Sequence, residues 1–205
     1  MEYVDAVALI KKYDIDFAEG SIVRSVDEAL KAAEYPVALK IMSDEISHKS
    51  DKGCVKLNVK DEDSLRKAYS EIMSNVGSAK VDGVLVQRMA KPGLELIVGG
   101  RRDKQFGPVV LFGLGGIFVE VFKDFSLRVC PIDRNDALEM ISEMKAYQLL
   151  TGARGTKPVD IEAIVDLLQK ASKLLYENKQ INEMDLNPVI AYEKGYCAVD
   201  VRVLP

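Results

Sequence analysis

The sequence predicts an α+β fold in two lobes, on three observations. Helix-patterned and strand-patterned segments alternate through the first third. The middle holds short apolar runs cut by glycines at hairpin spacing. The chain then closes with two helical segments and a pair of strands joined by a turn. Sheets carrying helices on one face suit such an order, and two such blocks suit two lobes sharing a cleft.

Residues 2–13 place Tyr3, Ala6, Val7, Ile10 and Tyr13 at helical spacing. Ser25-Val26-Asp27-Glu28 is a capping box that opens a second helix through Glu34, and Pro36 stops it. Pro36–Met42 reads as a buried strand and Cys54–Val59 as an alternating one. Asp61 caps a helix running to about Val76. Val84–Met89, Glu95–Val98, Pro108–Phe112, Phe118–Phe122 and Val129–Ile132 are the strand-like runs of an antiparallel sheet. Helices follow over Arg134–Leu150 and Asp160–Asn178. The final strands, Ile181–Tyr192 and Tyr196–Val203, meet at the Lys194-Gly195 turn. The small-residue stretch Gly77–Asp82 is the expected lobe boundary. It gives a small α/β lobe over residues 1–80 and a sheet-based lobe over 81–205.

Composition narrows the function classes. Of 205 residues, 48% are apolar, enough for a packed core. Lys+Arg 28 against Asp+Glu 32 leaves a net charge of −4, without the basic surplus of a nucleic-acid binder. Cys54, Cys130 and Cys197 form no CxxC pair, which argues against a zinc site and for a reducing, cytoplasmic compartment. Neither an apolar run of 18 residues nor a signal-peptide pattern is found, so no membrane is expected.

Several residues can carry chemistry. His48 is the one histidine, set in Ser47-His48-Lys49-Ser50-Asp51-Lys52-Gly53. Imidazole suits transfer of a proton or a phosphoryl group near neutral pH, and backbone N–H groups of small-residue turns make anion nests. A solvated surface loop is the plainer account of the same segment. Lys40 ends an apolar strand, where it can meet phosphate oxygens or simply snorkel to solvent. Gln87-Arg88-Met89 ends a strand that can offer backbone groups to a purine edge. Glu95 just beyond can accept hydrogen bonds from ribose hydroxyls, or it can face solvent on a hairpin. The glycine-rich stretch Phe106–Gly116 lacks both GxGxxG and GxxxxGK[ST]. Its glycines allow either close backbone approach to a ligand or tight turns.

Asp185, Asn187 and Asp200 form the last set. Asn187 and Asp200 lie on the two arms of the terminal hairpin and can face one another. Mg²⁺ wants hard oxygen ligands, often one or two from protein when nucleotide phosphates supply the rest. Asp185 shares a strand face with Asn187 and can orient His48 through a ring N–H. Turn chemistry at Asn187-Pro188 is the alternative.

Taken in order, Tyr35–Lys40 (YPVALK), Ile46–Gly53 (ISHKSDKG), Glu95–Gly99 leading to Phe106-Gly107-Pro108, Phe112–Gly116 (FGLGG) and Glu183–Pro188 (EMDLNP) resemble the ATP-grasp part of the NDP-forming acyl-CoA synthetases. Among these they resemble most the separate β subunits of ADP-forming acetyl-CoA synthetases, over nearly all of the chain. The resemblance implies an ATP-grasp fold, two lobes clamping a nucleotide. It implies Lys40 at the phosphates, where the loop chemistry also sets Lys49 and Gly53, with Gln87, Arg88 and Met89 as the adenine hinge and Glu95 on the ribose. It also implies Asn187 and Asp200 as Mg²⁺ ligands, His48 as transient phosphoryl carrier, and Asp185 as its support. ATP or ADP would be the nucleotide, and a CoA-binding α subunit the partner, in an α₂β₂ heterotetramer. A nucleotide-sensing module and a carboxylate–amine ligase are the competing readings. Two departures stand out: Cys54 replaces a second glycine after the histidine loop, and the segment before Tyr35 is short by a residue or two.

Overall fold

A computed structural model of the chain describes residues 1–43, 45–46, 52–116, 124–153 and 157–205. The chain opens with α1 (Tyr3–Lys12), β1 (Gly20–Val23), α2 (Val26–Ala32), β2 (Val37–Met42), β3 (Val55–Val59), α3 (Glu62–Asn75) and β4 (Gly83–Arg88). It continues with β5 (Leu94–Asp103), β6 (Gly107–Leu114), β7 (Phe125–Val129), α4 (Arg134–Ser142), α5 (Tyr147–Leu150) and α6 (Ile161–Glu177). It closes with β8 (Glu183–Ala191), β9 (Tyr196–Ala198) and β10 (Val201–Leu204). Two compact units result, one of residues Ala18–Ala90 and one joining Met1–Phe17 to Lys91–Pro205. They do not follow the 1–80 and 81–205 division expected from the sequence. Strand β4 pairs inside the smaller unit, and α1 packs into the larger one.

The smaller unit is an antiparallel sheet ordered β1-β4-β2-β3. Alternation puts Val37, Leu39, Ile41, Val84 and Val86 on one face, where Ala29 of α2 and Leu65, Ala68 and Ile72 of α3 cover them. Asp61 caps α3: its carboxylate accepts the Ser64 N–H at 2.8 Å, and the Ser64 hydroxyl accepts the Asp61 N–H at 3.1 Å. Ser25 caps α2, but Glu28 reaches back one residue further than a capping box requires, to the Arg24 N–H at 2.8 Å. Strand β1 was not legible, because Gly20-Ser21-Ile22-Val23 has only one buried side chain. Pairing with β4 makes it a strand.

The larger unit is an antiparallel sheet ordered β10-β8-β5-β6-β7, with β9 also on β8. One face carries Leu96, Val98, Val110, Phe112, Leu114, Met184 and Leu186 and is covered by α1, α4 and α6. Helix α6 turns Ile164, Val165, Leu167, Leu168, Ala171, Leu174 and Leu175 onto this core. Each fully buried Leu or Ile stabilises the unit by about 1.5–3 kcal/mol relative to exposure. The two ends of α6 are tied down. Asp160 accepts the Ala163 N–H at 3.1 Å and the Gly195 N–H at 2.9 Å. Arg102 donates to the carbonyls of Leu175, Asn178 and Ile181 at 3.1, 3.4 and 3.3 Å.

Several expectations need correction. The single helix expected over Arg134–Leu150 is two, because the buried Asp124 carboxylate takes the N–H groups of Lys145 and Ala146 at 3.0 and 2.9 Å. Strand β5 runs through Gly99-Gly100 to Asp103 rather than ending at Val98. The strand expected at Val129–Ile132 is β7, four residues earlier, with Phe125, Leu127 and Val129 on the exposed face. The run Phe118–Phe122 lies outside the described residues. The second arm of the terminal hairpin is broken into β9 and β10, and Val199-Asp200 form the break. No helix among the described residues is long and apolar enough to cross a membrane.

Candidate functional site

In the larger unit, the face of the sheet opposite the helices is open. It holds a depression of about 880 Å³ lined by Ile97, Gly99, Leu111, Leu127, Asp185 and Asn187, among others. Asp185 is placed there by its register, opposite Gly99 on one side and Arg202 on the other. Gly99 lies beside the carboxylate: a Cβ there would be 3.5 Å from the Asp185 Oδ1 and 3.3 Å from the Met184 carbonyl oxygen. Burial raises the Asp185 carboxyl above the usual range, and the negative charges of Glu183 and Asp200 raise it further. A hydrogen bond from the Asn187 amide and the charge of Arg202 oppose the rise.

Asn187 and Asp200 meet as expected. The Asn187 N–H donates to the Asp200 carbonyl at 3.3 Å, and the Val199 N–H to the Pro188 carbonyl at 2.9 Å. Both side chains are exposed. One amide and one carboxylate oxygen, beside a carboxylate crowded by negative charge, form a donor set that fits Mg²⁺. Sequence reasoning missed Glu183 and Arg202 as neighbours of Asp185. The two-residue period had the signal, since each lies two residues from a member of the set.

Glu95 opens β5 with its side chain exposed. Two glycines pack against it: the Gly115 N–H donates to the Glu95 carbonyl at 2.7 Å, and Gly116 turns with φ +63° beside the carboxylate.

In the smaller unit, Lys40 and Gln87 sit on the sheet face away from the helices, at diagonal positions of the β2–β4 pair. Lys40 is half-buried, and Gln87 is buried with its Nε2 donating to the Ala18 carbonyl at 3.1 Å. At the strand end expected to be a hinge, two backbone donors are already engaged. The Arg88 N–H is spent on the Glu19 carbonyl at 2.9 Å, and the Met89 N–H on the Pro36 carbonyl at 3.0 Å. Gly53 has φ +66°, and its carbonyl accepts from the Asn75 amide at 3.1 Å. The Cys54 side chain enters the core, and its thiol lies 3.6 Å from the Lys52 carbonyl. His48 and Lys49 lie outside the described residues. The expected set thus falls into two groups: Lys40, Gly53 and Gln87–Met89 in one unit, and Glu95, Asp185, Asn187 and Asp200 in the other.

Comparison with known proteins matches residues 1–204 to the ATP-grasp domain family. The chain is 49% identical over 207 residues to the β subunit of acetate–CoA ligase [ADP-forming] I of Pyrococcus furiosus, covering 98% of this chain and 89% of that subunit. It is 51% identical to acetate–CoA ligase [ADP-forming] I of Archaeoglobus fulgidus, and there it spans 30% of the longer protein. Its fold is similar to a structure of the acetyl-coenzyme A synthetase 1 of Ca. Korarchaeum cryptofilum with coenzyme A and Ca-AMPCP. The TM-score is 0.94 at 50% identity, over 98% of this chain and 91% of that one. A second structure of that protein, with Mg-AMPPCP, has its phosphohistidine segment pointing towards the nucleotide-binding site. Its TM-score is 0.87 at 49% identity, over 100% and 92% of the two chains.

Proposed function

The chain belongs to the ATP-grasp family and, within it, to the β subunits of ADP-forming acetate–CoA ligases, and on that footing we propose that it is the nucleotide-binding subunit of an ADP-forming acyl-CoA synthetase. The overall reaction is acyl-CoA + ADP + phosphate ⇌ acid + CoA + ATP. The observation that carries this reading is the Asp185–Asn187–Asp200 cluster at one end of an open sheet face, in a chain similar along nearly its whole length to a separate β subunit.

The chemistry is phosphoryl relay. A CoA-binding α partner forms the acyl phosphate and takes the phosphoryl group onto its own histidine. A nitrogen of neutral His48 then bonds to phosphorus as the bond to the partner's histidine breaks. In the second step the terminal oxygen of ADP bonds to phosphorus, the P–N bond to His48 breaks, and the imidazole leaves neutral. Asp185, accepting a ring N–H, would hold His48 in the tautomer that attacks. Lys40 and Lys49 would offset charge on the phosphate oxygens. Asn187 and Asp200 would hold Mg²⁺, which supplies further charge neutralisation when bound. The Arg88 and Met89 N–H groups are engaged, so recognition of adenine at this strand end would fall to carbonyls accepting from its exocyclic amine. Cys54, Cys130 and Cys197 are unpaired, which suits a cytoplasmic enzyme. The assembly is α₂β₂, which light scattering on the purified complex checks.

The decisive experiment mixes this chain with its phosphorylated, radiolabelled α partner and Mg²⁺. Label is expected to appear on wild-type chain and to pass to ADP. His48→Ala is expected to take no label and to make no ATP. ATP formed by His48→Ala at the wild-type rate would overturn the relay.

A further inference from the structure

The glycine-rich run that closes β6 has a task in the structure besides turning the chain. Gly115 faces Glu95 across the β5–β6 pair, one step beyond the Leu96–Leu114 pair. A Cβ on Gly115 would lie 2.9 Å from the Glu95 Cβ, 3.0 Å from its carbonyl carbon and 3.1 Å from its carbonyl oxygen. Two of those three atoms are backbone and cannot swing aside. A Cβ on Gly116 would lie 3.0 Å from the Glu95 Oε2, so the carboxylate rests against a bare α-carbon. Gly116 also holds a left-handed backbone that most side chains avoid. Among the described residues, no hydrogen bond or ion pair holds the Glu95 carboxylate. The two glycines are what the structure places against it.

We propose that Gly115 and Gly116 are positioning residues for Glu95, and that the slot they leave sets how strongly the protein discriminates for a nucleotide bearing ribose hydroxyls. This rests on the reading of Glu95 as the ribose-binding carboxylate. A side chain at Gly115 forces the Glu95 backbone to shift, and one at Gly116 pushes the carboxylate aside by a few tenths of an ångström and strains its own left-handed backbone. Either change takes the acceptor away from the hydroxyls without touching groups that meet base or phosphates.

The test is calorimetric titration of the full-length protein with Mg·ADP and with Mg·2′,3′-dideoxy-ADP. Wild type is expected to prefer ADP by about tenfold or more, as hydrogen bonds to a charged acceptor do. Glu95→Gln is the control for the reading beneath the proposal and is expected to cut that preference to about twofold. Gly115→Ala is expected to do the same while its affinity for the dideoxy nucleotide stays within about twofold of wild type. Gly116→Asn, whose side chain tolerates a left-handed backbone, is expected to match it and serves if Gly115→Ala does not fold. If both glycine variants keep the preference that Glu95→Gln loses, the positioning role is overturned and the ribose reading stands. If Glu95→Gln keeps it, the ribose reading falls and the proposal with it. Equal weakening of both nucleotides would make the glycines merely structural and would also overturn the proposal.

Discussion

Asn187 and Asp200 are brought together by strand register, and a residue apart in either direction they would face opposite sides of the sheet. Asp200→Asn keeps the shape and removes the charge. It is expected to raise the Mg²⁺ concentration for half-maximal ATP synthesis by about tenfold, which a Mg²⁺ titration at saturating ADP measures. This part of the site was legible, because a two-residue period and a single turn sufficed to align Asp185, Asn187 and Asp200. The pairing of Gly99 with Asp185 was not, since it joins strands 86 positions apart. Nor was the engagement of the Arg88 and Met89 N–H groups, whose partners Glu19 and Pro36 are fixed only by the sheet order.

Helix α6 was the most legible element, for its apolar stripe and its Asp160 cap are both local signals. That carboxylate also holds Gly195, so it pins the helix to the β8–β9 turn. Backbone donors, Gly195 first, then Ala163 and Glu162, hold the Asp160 carboxyl below the usual range. The stability it adds is therefore present above the unfolded value, about 3.9, and is lost as pH falls through the lower folded value. Asp160→Ala is expected to cost about 1–2 kcal/mol at neutral pH in urea melts, with the gap from wild type closing below about pH 4. Gly100 was less legible: two adjacent glycines read as the end of a strand. They continue β5 because a side chain at Gly100 would strike Leu175 of α6 and the Val109 carbonyl. Gly100→Ala is expected to lower stability by about 1–3 kcal/mol, measured as a shift of the urea midpoint. The break between α4 and α5 escaped the sequence for a related reason, as the Asp124 carboxylate that causes it is remote in sequence.

For the molecule as a whole, α+β content and antiparallel sheets followed from the patterning, whereas the division into units did not, because pairing partners rather than composition decide it. The proposed division of labour with an α partner has a thermodynamic signature. Mg·ADP at a hundred times its Kd is expected to stabilise the isolated chain by about 2.7 kcal/mol, whereas acetyl-CoA alone leaves the melting temperature unmoved. A shift with acetyl-CoA would place a CoA site in this chain. The discontinuous unit also sets an order of events at the ribosome. The Met1 amine donates to the Val203 carbonyl at 3.1 Å, across 202 positions, and Ala198 donates to the Asp16 carbonyl at 2.9 Å. Helix α1 is translated about 190 residues before β10, on which it docks, a delay of roughly 10–40 s at ordinary elongation rates. Ala18–Ala90 is contiguous and can close meanwhile, while Ala6 and Ile10 stay uncovered on the nascent chain until the strands they pack on emerge.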